Sequence, residues 1–477
     1  MSGKIPATWV QCEIGHVAEV VGEATPASKD VTNFTHEGGV PWLTPADLSG
    51  YRQMYIGRGS RNLTQRGFDN CSAKMLPPHS ILFSSRAPVG YVAIAANPVC
   101  TSQGFKSFVL HPELESRFVY YYLRFIRPVA ESQATGTTFK ELSGAAAARL
   151  PFVVAPLNEQ ERIADKLDAL VARVDACRER LDRVPAILKR FRQAVLAAAT
   201  SGKLTEEWRE EANAGIWSAV SVEQIAEQVF DGPFGSHLKS KDYSETGVRV
   251  VRLENIGWLK FITDKRTFIP VQKYHLLQRH TLRADDILLS SFLSEQVRVC
   301  LLPVELSENA INKADCFCIR LDRKKCSPQF VAMQLASRST FIALDEQVHG
   351  ATRPRINLGQ LKAFILELPP LIEQDEIVRR VETLFAYADR IEARYAAARA
   401  QVERLTPALL AKAFHGELVP QDPNHEPASV LLERIRAARA AAPPKPRSRQ
   451  VTGRPTKTQK AEILMPNRRD IPDAHLC

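Results

Sequence analysis

The residues Pro156-Leu157-Asn158-Glu159-Gln160 return as Pro370-Leu371-Ile372-Glu373-Gln374, 214 positions further along the chain. The same offset continues without a gap through the segments that follow these two copies. It pairs Ile163 with Ile377, Leu170 with Leu384, Asp175 with Asp389, Arg190 with Arg404 and Gly202 with Gly416. The chain is therefore an internal duplication, and each copy of the repeat follows a globular arm.

Both copies carry apolar residues at a spacing near 3.5, which is typical of helices that bury one stripe in a left-handed supercoil. We expect two long antiparallel coiled-coil helices of about 44 residues, or roughly 65 Å at about 1.5 Å per residue. Helices of an ordinary bundle would show the same stripe, but two collinear copies at constant offset argue against that alternative. The stripe comprises Ile163, Leu167, Leu170, Val174, Leu181 and Leu188, and then Ile377, Val381, Leu384, Ile391, Val402 and Leu405.

The ends of these helices also carry signals. Asn158, followed three residues later by Glu161, is predicted to cap the first helix, and the second copy lacks this cap. Glycines at 202 and 416 stand where a C-terminal glycine ends a helix. Pro185 and Pro407 predict a kink or a short break in each rod, because proline removes one helical hydrogen bond.

The arms repeat more loosely, and the offset between them drifts from 208 to 206 to 214. Short runs at 81–84, 105–110 and 317–321 predict strands, so each arm is expected to be mixed α and β with a small sheet, and the fold class α+β. The predicted organisation is a first target-recognition domain at 1–155, a spacer helix at 156–204, a second target-recognition domain at 205–369, a second spacer helix at 370–420, a C-terminal helix at 421–442 and a basic, disordered tail at 443–477.

Composition narrows the class of protein. No apolar run reaches membrane-spanning length, and the start of the chain lacks the hydrophobic block of a signal peptide, so a cytoplasmic location is expected. Nine scattered cysteines without a C-x-x-C pair predict neither a metal site nor disulfides. The net charge is +10, but half of this excess lies in the tail from Pro443 onward, so charge alone makes a weak case for DNA binding.

The two repeated blocks, each opening in P-L-x-E-Q and closing in G-K-L or G-E-L, resemble the repeated regions of specificity subunits of Type I restriction-modification enzymes, the enteric IA group in particular. The resemblance covers nearly the whole chain. It implies two target-recognition domains that each read one half of a split double-stranded DNA site, with the helices as a ruler between them. It also implies two methyltransferase (modification) subunits docked at the helices and restriction subunits, which translocate and cleave DNA, outside those.

The residues that would face DNA are chosen for their chemistry. Forked donors read base edges, whereas hydroxyls, cations and backbone amides hold phosphates. The two loops before the helices combine glycine, hydroxyls and cations, and the cluster around Arg353 and Arg355 is the favoured one. The candidates are Ser84, Ser85, Arg86, Lys106, Thr137, Thr138, Lys140, Arg252, Asn255, Ser290, Ser291, Arg298, Lys313, Thr352, Arg353 and Arg355. For most of them singly, a solvated surface group is the competing interpretation.

The chain carries no complete catalytic motif. Asn97-Pro98-Val99-Cys100 lacks the second proline and the aromatic residue of an adenine methyltransferase motif, and Ser201-Gly202-Lys203 ends a helix instead of following a strand. No catalytic residue is assigned, and S-adenosylmethionine, ATP and Mg are expected on partner subunits alone. The alternative function is a duplicated coiled-coil scaffold protein without DNA sequence preference, which has the same helices.

Overall fold

The computed structural model describes residues 5–22, 24–86, 88–136, 140–348 and 354–441. The chain forms two compact units, which comprise residues 1–164 with 414–477 and residues 165–413. Each unit contains one arm of mixed α and β structure, as the sequence predicted. Since the described residues before 165 and those from 414 to 441 belong to the first unit, the second unit is a continuous insertion within it.

The first unit is built on a mainly antiparallel sheet. Its strands are β1 (Val10–Glu13), β2 (Ala18–Gly22), β3 (Phe34–Thr35), β4 (Trp42–Leu43), β5 (Tyr55–Ile56), β6 (Asn62–Leu63), β7 (Ile81–Phe83), β8 (Val92–Ala95), β9 (Cys100–Thr101), β10 (Lys106–Leu110) and β11 (Pro151–Val154). Its helices are α1 (Gln65–Asp69), α2 (Ser116–Phe125), α3 (Arg127–Gln133), α4 (Gly144–Ala148) and the start of α5 (Leu157–Thr200). The main sheet has the order β2-β10-β7-β8-β5, in which only the edge strand β5 runs parallel to its neighbour β8, and β1 pairs with β11.

The second unit repeats this plan. Its strands are β12 (Ser218–Ser221), β13 (Ala226–Phe230), β14 (Val248–Val251), β15 (Phe268–Ile269), β16 (Ile287–Ser290), β17 (Val299–Leu301), β18 (Ala310–Asn312), β19 (Cys316–Leu321) and β20 (Ile365–Leu368). Its helices are α6 (Glu206–Glu211), α7 (Val222–Ile225), α8 (Val271–His275), α9 (Pro328–Leu335), α10 (Arg338–Asp345), α11 (Leu358–Ala363) and most of α12 (Leu371–Phe414). The main sheet runs β13-β19-β16-β17, and β12 pairs with β20 as β1 does with β11.

The two long helices are antiparallel within the second unit. Three ion pairs join them, Arg178 with Glu403, Asp182 with Arg399 and Arg192 with Asp389, and in each pair the two residue numbers add up to 581. A constant sum is the signature of two helices that run in opposite directions in register. Val174, Leu188, Ile377 and Val381 are buried along the stripe. The coiled coil predicted from the apolar spacing is confirmed.

One expected stripe residue lies elsewhere. The side chain of Leu405 is 39% exposed, whereas the neighbouring Thr406 is buried and its hydroxyl receives Arg178 Nη2 at 3.4 Å. The stripe therefore passes through a threonine, because the hydroxyl can accept a charged donor from the facing helix. Leu170, Leu181, Ile391 and Val402 are only half-buried. In a two-stranded coil each seam residue has a partner helix on one side alone.

Both helices have 44 residues and continue through their prolines without a break. The predicted C-terminal glycines are confirmed, since Gly202 and Gly416 adopt left-handed φ values of 77° and 75°. The predicted N-cap is wrong. Asn158 lies inside the first turn of α5, where the Glu159 and Gln160 N–H groups bond to the carbonyl of Pro156. The helix begins at Leu157, two residues earlier than it would if Asn158 were its N-cap.

The Glu-Gln pair that is common to both repeats anchors each helix to its arm. Gln160 is buried, and it donates from Nε2 to the Ala155 carbonyl at 2.8 Å and accepts from the Glu115 N–H at 3.2 Å. Gln374 repeats this with the Pro369 carbonyl and the Ser327 N–H, both at 2.8 Å. Glu115 and Ser327 are the N-cap residues of α2 and α9. A glutamine can do this because its amide both donates and accepts.

The first unit is completed by the C-terminal part of the chain. Phe414, at the end of α12, packs edge-on against Phe118 and Tyr122 at ring distances of 5.3 and 5.0 Å. Beyond it, α13 (Ala428–Ala441) lies within the range 421–442 that was predicted for a C-terminal helix, and it places Arg434 2.6 Å from Glu113. The predicted tail at 443–477 lies outside the described residues. Within the described ranges, no helix combines the length and the hydropathy that a membrane crossing requires.

Candidate nucleic-acid interface

The serines that follow the central strands do not face outward. Ser84 is fully buried after β7, where its hydroxyl donates to the Pro88 carbonyl and accepts from the Tyr91 N–H at 2.7 and 2.8 Å. Ser85 is also fully buried, and its N–H donates to the Gly104 carbonyl at 2.8 Å. These predicted DNA contacts are wrong, because both side chains are fully buried; the hydroxyl of Ser84 is held within its own turn, and Ser85 is fixed through its backbone.

The equivalent serines of the second arm are buried in the same way. Ser290 Oγ accepts a hydrogen bond from Arg298 Nη2 at 2.9 Å, and Ser291 Oγ donates to Asp315 Oδ1 at 3.1 Å. Neither side chain is exposed. The two predicted contacts are therefore wrong as well, and both serines instead orient charged neighbours.

Three further candidates are occupied by internal hydrogen bonds. Asn255 is 1% exposed, and its amide donates to the carbonyls of Ile262 and Lys265. Arg298 also donates to the Leu253 carbonyl, and Lys313 Nζ donates to the Leu238 carbonyl at 3.1 Å. Asn255 cannot reach DNA in this arrangement, whereas Arg298 and Lys313 are half-buried and shape the surface around them.

Four of the candidates are charged groups on the surface of the arms. Arg86 and Lys106 lie 3.5 and 3.7 Å from the carboxylate of Glu141 in the first arm. In the second arm, Arg355 Nη1 lies 3.1 Å from Asp315 Oδ1, and its side chain is 54% exposed. Arg252 lies 3.3 Å from Glu254, and both of these side chains are 38% exposed. The three arginines, paired but partly exposed, remain available to an anionic ligand, whereas the side chain of Lys106 is only 15% exposed.

The remaining candidates belong to the loops before the helices. Lys140 is exposed. Thr137, Thr138, Thr352 and Arg353 lie outside the described residues, so their assignment remains a prediction. Of the favoured cluster, Arg355 alone is described, and it lies beside Asp315.

An exposed aromatic residue that the sequence analysis missed lies in the loop that follows β13. Phe234 is 55% exposed in the loop Gly232-Pro233-Phe234-Gly235, in which Gly235 has a φ of 49°. Gly232 packs so closely on the backbone of Lys313 that a Cβ would come within 2.1 Å of its carbonyl carbon. The loop is thus held against the strand end that carries Lys313 and Asp315. Its glycines flanking an aromatic residue were the available signal.

The carboxyl group of Asp231 begins this loop. Its pKa is raised to about 6, mainly by burial and also by the negative charge of Asp315, and the Gly232 N–H at 2.7 Å and the positive Arg355 oppose this rise only in part. Two carboxylates and one guanidinium therefore share a small volume. Among the described residues, no group of three or more His, Cys, Asp or Glu side chains is arranged to hold a metal ion.

Each arm also has a basic segment that the whole-chain charge concealed. Between residues 48 and 68 there are four arginines and no acid, and between 256 and 283 there are six cations and one acid, Asp264. The exposed cations are Arg52, Arg58, Arg66, Lys260, Lys265, Arg266, Arg279 and Arg283. Both segments follow the parallel pairing of β4 with β9 or of β14 with β18. A local charge count would have found them, and such segments attract a polyanion.

The sequence has well-defined relatives. A family model described as "Type I restriction modification DNA specificity domain" matches residues 6–186 and 283–398. The EcoKI specificity subunit of Escherichia coli (strain K12) is 30% identical over 472 residues, covering 94% of this chain and 99% of that protein. The StySPI specificity subunit of Salmonella potsdam is 28% identical over 470 residues, with the same coverage of both chains.

The fold is shared with solved structures. One, titled as the structural basis of complex assembly and conformational transition of the type I R-M system, gives a TM-score of 0.64 at 18% identity, covering 87% of this chain and 99% of that one. The HsdS subunit from Thermoanaerobacter tengcongensis gives a TM-score of 0.54 at 18% identity, with equal coverage. The fold of this chain, with its long helices and two arms, is therefore already represented among solved structures.

Proposed function

Because this chain belongs to the specificity subunits of Type I restriction-modification enzymes, we propose that it reads a bipartite DNA target, one half-site with each arm. The observation that carries the proposal is the pair of equally long, antiparallel helices that join two similar but unequal arms. Two arms that share a backbone framework but differ in their surface residues can recognise two different half-sites. The comparisons do not support the alternative of a scaffold without DNA preference.

The helices act as the ruler between the half-sites. A helix of 44 residues is about 66 Å long at about 1.5 Å per residue. Half-sites on one face of B-DNA lie about 34 Å or a multiple of this apart. A rigid spacer of this order leaves several base pairs unread. The three ion pairs with the common sum of 581 hold the two rods in one register.

The helices also offer the surface on which partner subunits dock. Ile187, Tyr387 and Leu405 are 52%, 55% and 39% exposed on the coiled coil, and exposed apolar groups on a charged rod favour protein contacts. Because the repeat is nearly twofold, it can present equivalent surfaces to two copies of one modification subunit. Restriction subunits bind outside those. Adenine methylation and DNA cleavage, with S-adenosylmethionine, ATP and Mg, take place on these partners, and no catalytic step is assigned to this chain.

Co-expression with the candidate modification subunit in a methylation-free host tests this function. We expect a copurifying complex with two modification subunits by native mass spectrometry, and a single split motif of modified adenines by long-read sequencing of the host genome. A stable complex that modifies no motif would contradict the DNA-reading function and favour the scaffold. A complex with one modification subunit would contradict the stoichiometry alone.

A further inference from the structure

The two arms share a backbone frame at the ends of their central strands. The N–H of Ser85 bonds to the Gly104 carbonyl, and its carbonyl accepts from the Leu142 N–H, at 2.8 and 2.9 Å. In the second arm, the N–H of Ser291 bonds to the Asp315 carbonyl and its carbonyl accepts from the Ile356 N–H. These matched bonds make Gly104 equivalent to Asp315. They also align the two segments that lead to the long helices.

The parallel strands beside this point repeat as well. Trp42 of β4 pairs with Cys100 of β9, and Val250 of β14 pairs with Ile311 of β18. Immediately after the pairing, the Ser102 N–H donates to the Leu43 carbonyl at 2.8 Å, and the Lys313 N–H donates to the Val251 carbonyl at 2.9 Å. Ser102 is thus equivalent to Lys313. The frame itself cannot distinguish two half-sites, since its backbone is common to both arms.

The two arms differ in which segment supplies an arginine to an isolated β-bridge that occupies the same place in both. In the first arm, Arg86 bridges with Glu141, and in the second arm Phe292 bridges with Arg355. The arginine therefore comes from the strand end in one arm and from the segment before the helix in the other. The guanidinium of Arg355 lies 5.9 Å from the Phe292 ring centroid and against Asp315, the residue that replaces Gly104.

The ion pair between each arginine and its carboxylate is easily broken. Arg86 and Glu141 are 36% and 38% exposed and 3.5 Å apart, and Arg355 and Asp315 are 54% and 25% exposed. Exposed ion pairs of this kind contribute little to stability and break readily. Beside Arg86 there is an open cleft of about 390 Å³ lined by Thr44, Ser49 and Ser102. An incoming base edge would therefore meet a guanidinium that is oriented but weakly held.

Asp315 is itself a constrained residue. Its φ is 68°, a conformation that non-glycine residues seldom adopt, and its carboxylate accepts the Ser291 hydroxyl at 3.1 Å besides pairing with Arg355. Unusual backbone at a position that the surroundings hold tightly is a feature of binding sites. The buried serine, the strained aspartate and the exposed arginine form one chain of contacts.

We propose that Arg86 and Arg355 are the equivalent base-reading residues of the two arms, each taking one guanine through its O6 and N7 atoms. Glu141 and Asp315 are positioning residues that orient the two guanidinium groups. The proposal rests on the proposed function and names where each half-site is read. A fork of two N–H donors fits guanine in the major groove, and a lysine in the same place does not reproduce it.

The test uses the full chain in complex with its modification subunit and maps the methylated motif of each variant. We expect Arg355→Ala and Arg355→Lys to reduce the preference for one base at one position of a single half-site by about ten-fold or more. Arg86→Ala and Arg86→Lys should do the same in the other half-site. Arg323→Ala is the matched control, because Arg323 is 62% exposed and paired with Asp285 in the second arm.

The positioning residues give a separate readout. Asp315→Asn and Glu141→Gln should strengthen binding to unrelated DNA, since a negative charge is lost, while preference at the same single position falls. Unchanged motifs in the arginine variants would overturn the assignment. Equal losses of methylation at every site, with Arg355→Lys still active, would also overturn it and would indicate phosphate contacts. A wild-type complex without any motif would instead overturn the function on which the inference rests.

Discussion

Gln374 joins the start of the second long helix to Ser327, whose N–H donates to Gln374 Oε1 at 2.8 Å. Ser327 is the N-cap of α9, so a single buried amide links the helical spacer to the principal helix of the arm. Gln160 makes the equivalent link to Glu115 in the first unit. This hydrogen bond fixes the orientation of the arm relative to the start of its long helix.

Replacing this amide should destabilise the second unit. Gln374→Met keeps the side chain's length and leaves the Ser327 N–H and the Pro369 carbonyl without partners, at roughly 1–3 kcal/mol for each buried group. Hydrogen exchange measured by mass spectrometry would locate the loss at α9 and the first turn of α12. Gln401→Met, an exposed position on the same helix, is the control. Equal exchange in both variants would contradict the role of Gln374.

The neighbouring glutamates should respond unequally. Glu373 is buried and accepts hydrogen bonds from Thr205 Oγ1, Arg209 Nε and Trp217 Nε1 at 2.8, 2.8 and 3.1 Å. Glu159 accepts one from Gln421 Nε2 at 2.5 Å. We therefore expect Glu373→Ala to lower the unfolding free energy by about 2–4 kcal/mol, since a half-buried arginine loses its partner. Glu159→Ala should cost clearly less in thermal or urea unfolding, and equal losses would refute this.

Lengthening both helices should lengthen the unread gap. Seven residues inserted between Arg183 and Val184, and seven between Ala397 and Ala398, keep the pairing because these junctions face each other in the 581 register. The added heptad is about 10.5 Å, or about three base pairs of B-DNA. Methylome mapping should show both half-sites unchanged and the gap longer. The control is the insertion in α5 alone, which should destabilise the coil, and altered half-sites with the paired insertion would exclude a ruler.

The raised pKa of Asp231 predicts a pH effect on stability. Its ordinary value of 3.8 becomes about 6 in the folded protein, so between these values the folded chain holds a proton that the unfolded chain has released. The stability due to this group is therefore greatest below about pH 4, falls as the pH rises to about 6, and then stays level. Asp231→Asn should flatten this slope in melting experiments between pH 4.5 and 7.5. Asp264→Asn, at an exposed site, should not, and an unchanged slope in Asp231→Asn would disprove the effect.

Phe234 should contribute to DNA affinity. Aromatic groups on the protein surface gain about 1–3 kcal/mol per base by stacking, and apolar wedges can enter a base step. Phe234→Ala should weaken binding to the target duplex in fluorescence anisotropy, and Phe234→Trp should retain it. Val304→Ala provides the control, because Val304 is 69% exposed in the same arm. Undiminished affinity in Phe234→Ala would remove this loop from the interface.

The duplication made the helices predictable. Ile163 with Ile377 and Leu170 with Leu384 recur at one offset, and a periodic stripe over 44 residues depends on local sequence spacing alone. The strand at Cys316–Leu321 was also predictable, because a short apolar run between turn residues is a local signal. The proposed cap at Asn158 failed because the choice of first helical residue depends on Pro156 and on the arm behind it.

The candidate site was less predictable. Ser84 and Arg86 lie two residues apart, yet the first is buried and the second is 36% exposed. Asn255 looked like a base reader, but its amide is used by two carbonyls that lie 7 and 10 residues along the chain. Hydrogen-bonding capacity is a property of the residue type, whereas its availability depends on which partners the fold brings near.

The two-fold repeat, the two long amphipathic helices and the family follow from the order of the residues alone, because periodicity and repetition are properties of that order. Other relationships emerge only in the folded chain: Glu373 and Gln374 are anchors, the strand-end serines are internal, and Arg86 and Arg355 occupy equivalent places from opposite segments. Several of these relationships join residues that are tens of positions apart or more, as Gln374 and Ser327 or Arg209 and Glu373 are. They arise when packing brings buried donors and acceptors together, and no local pattern records that pairing.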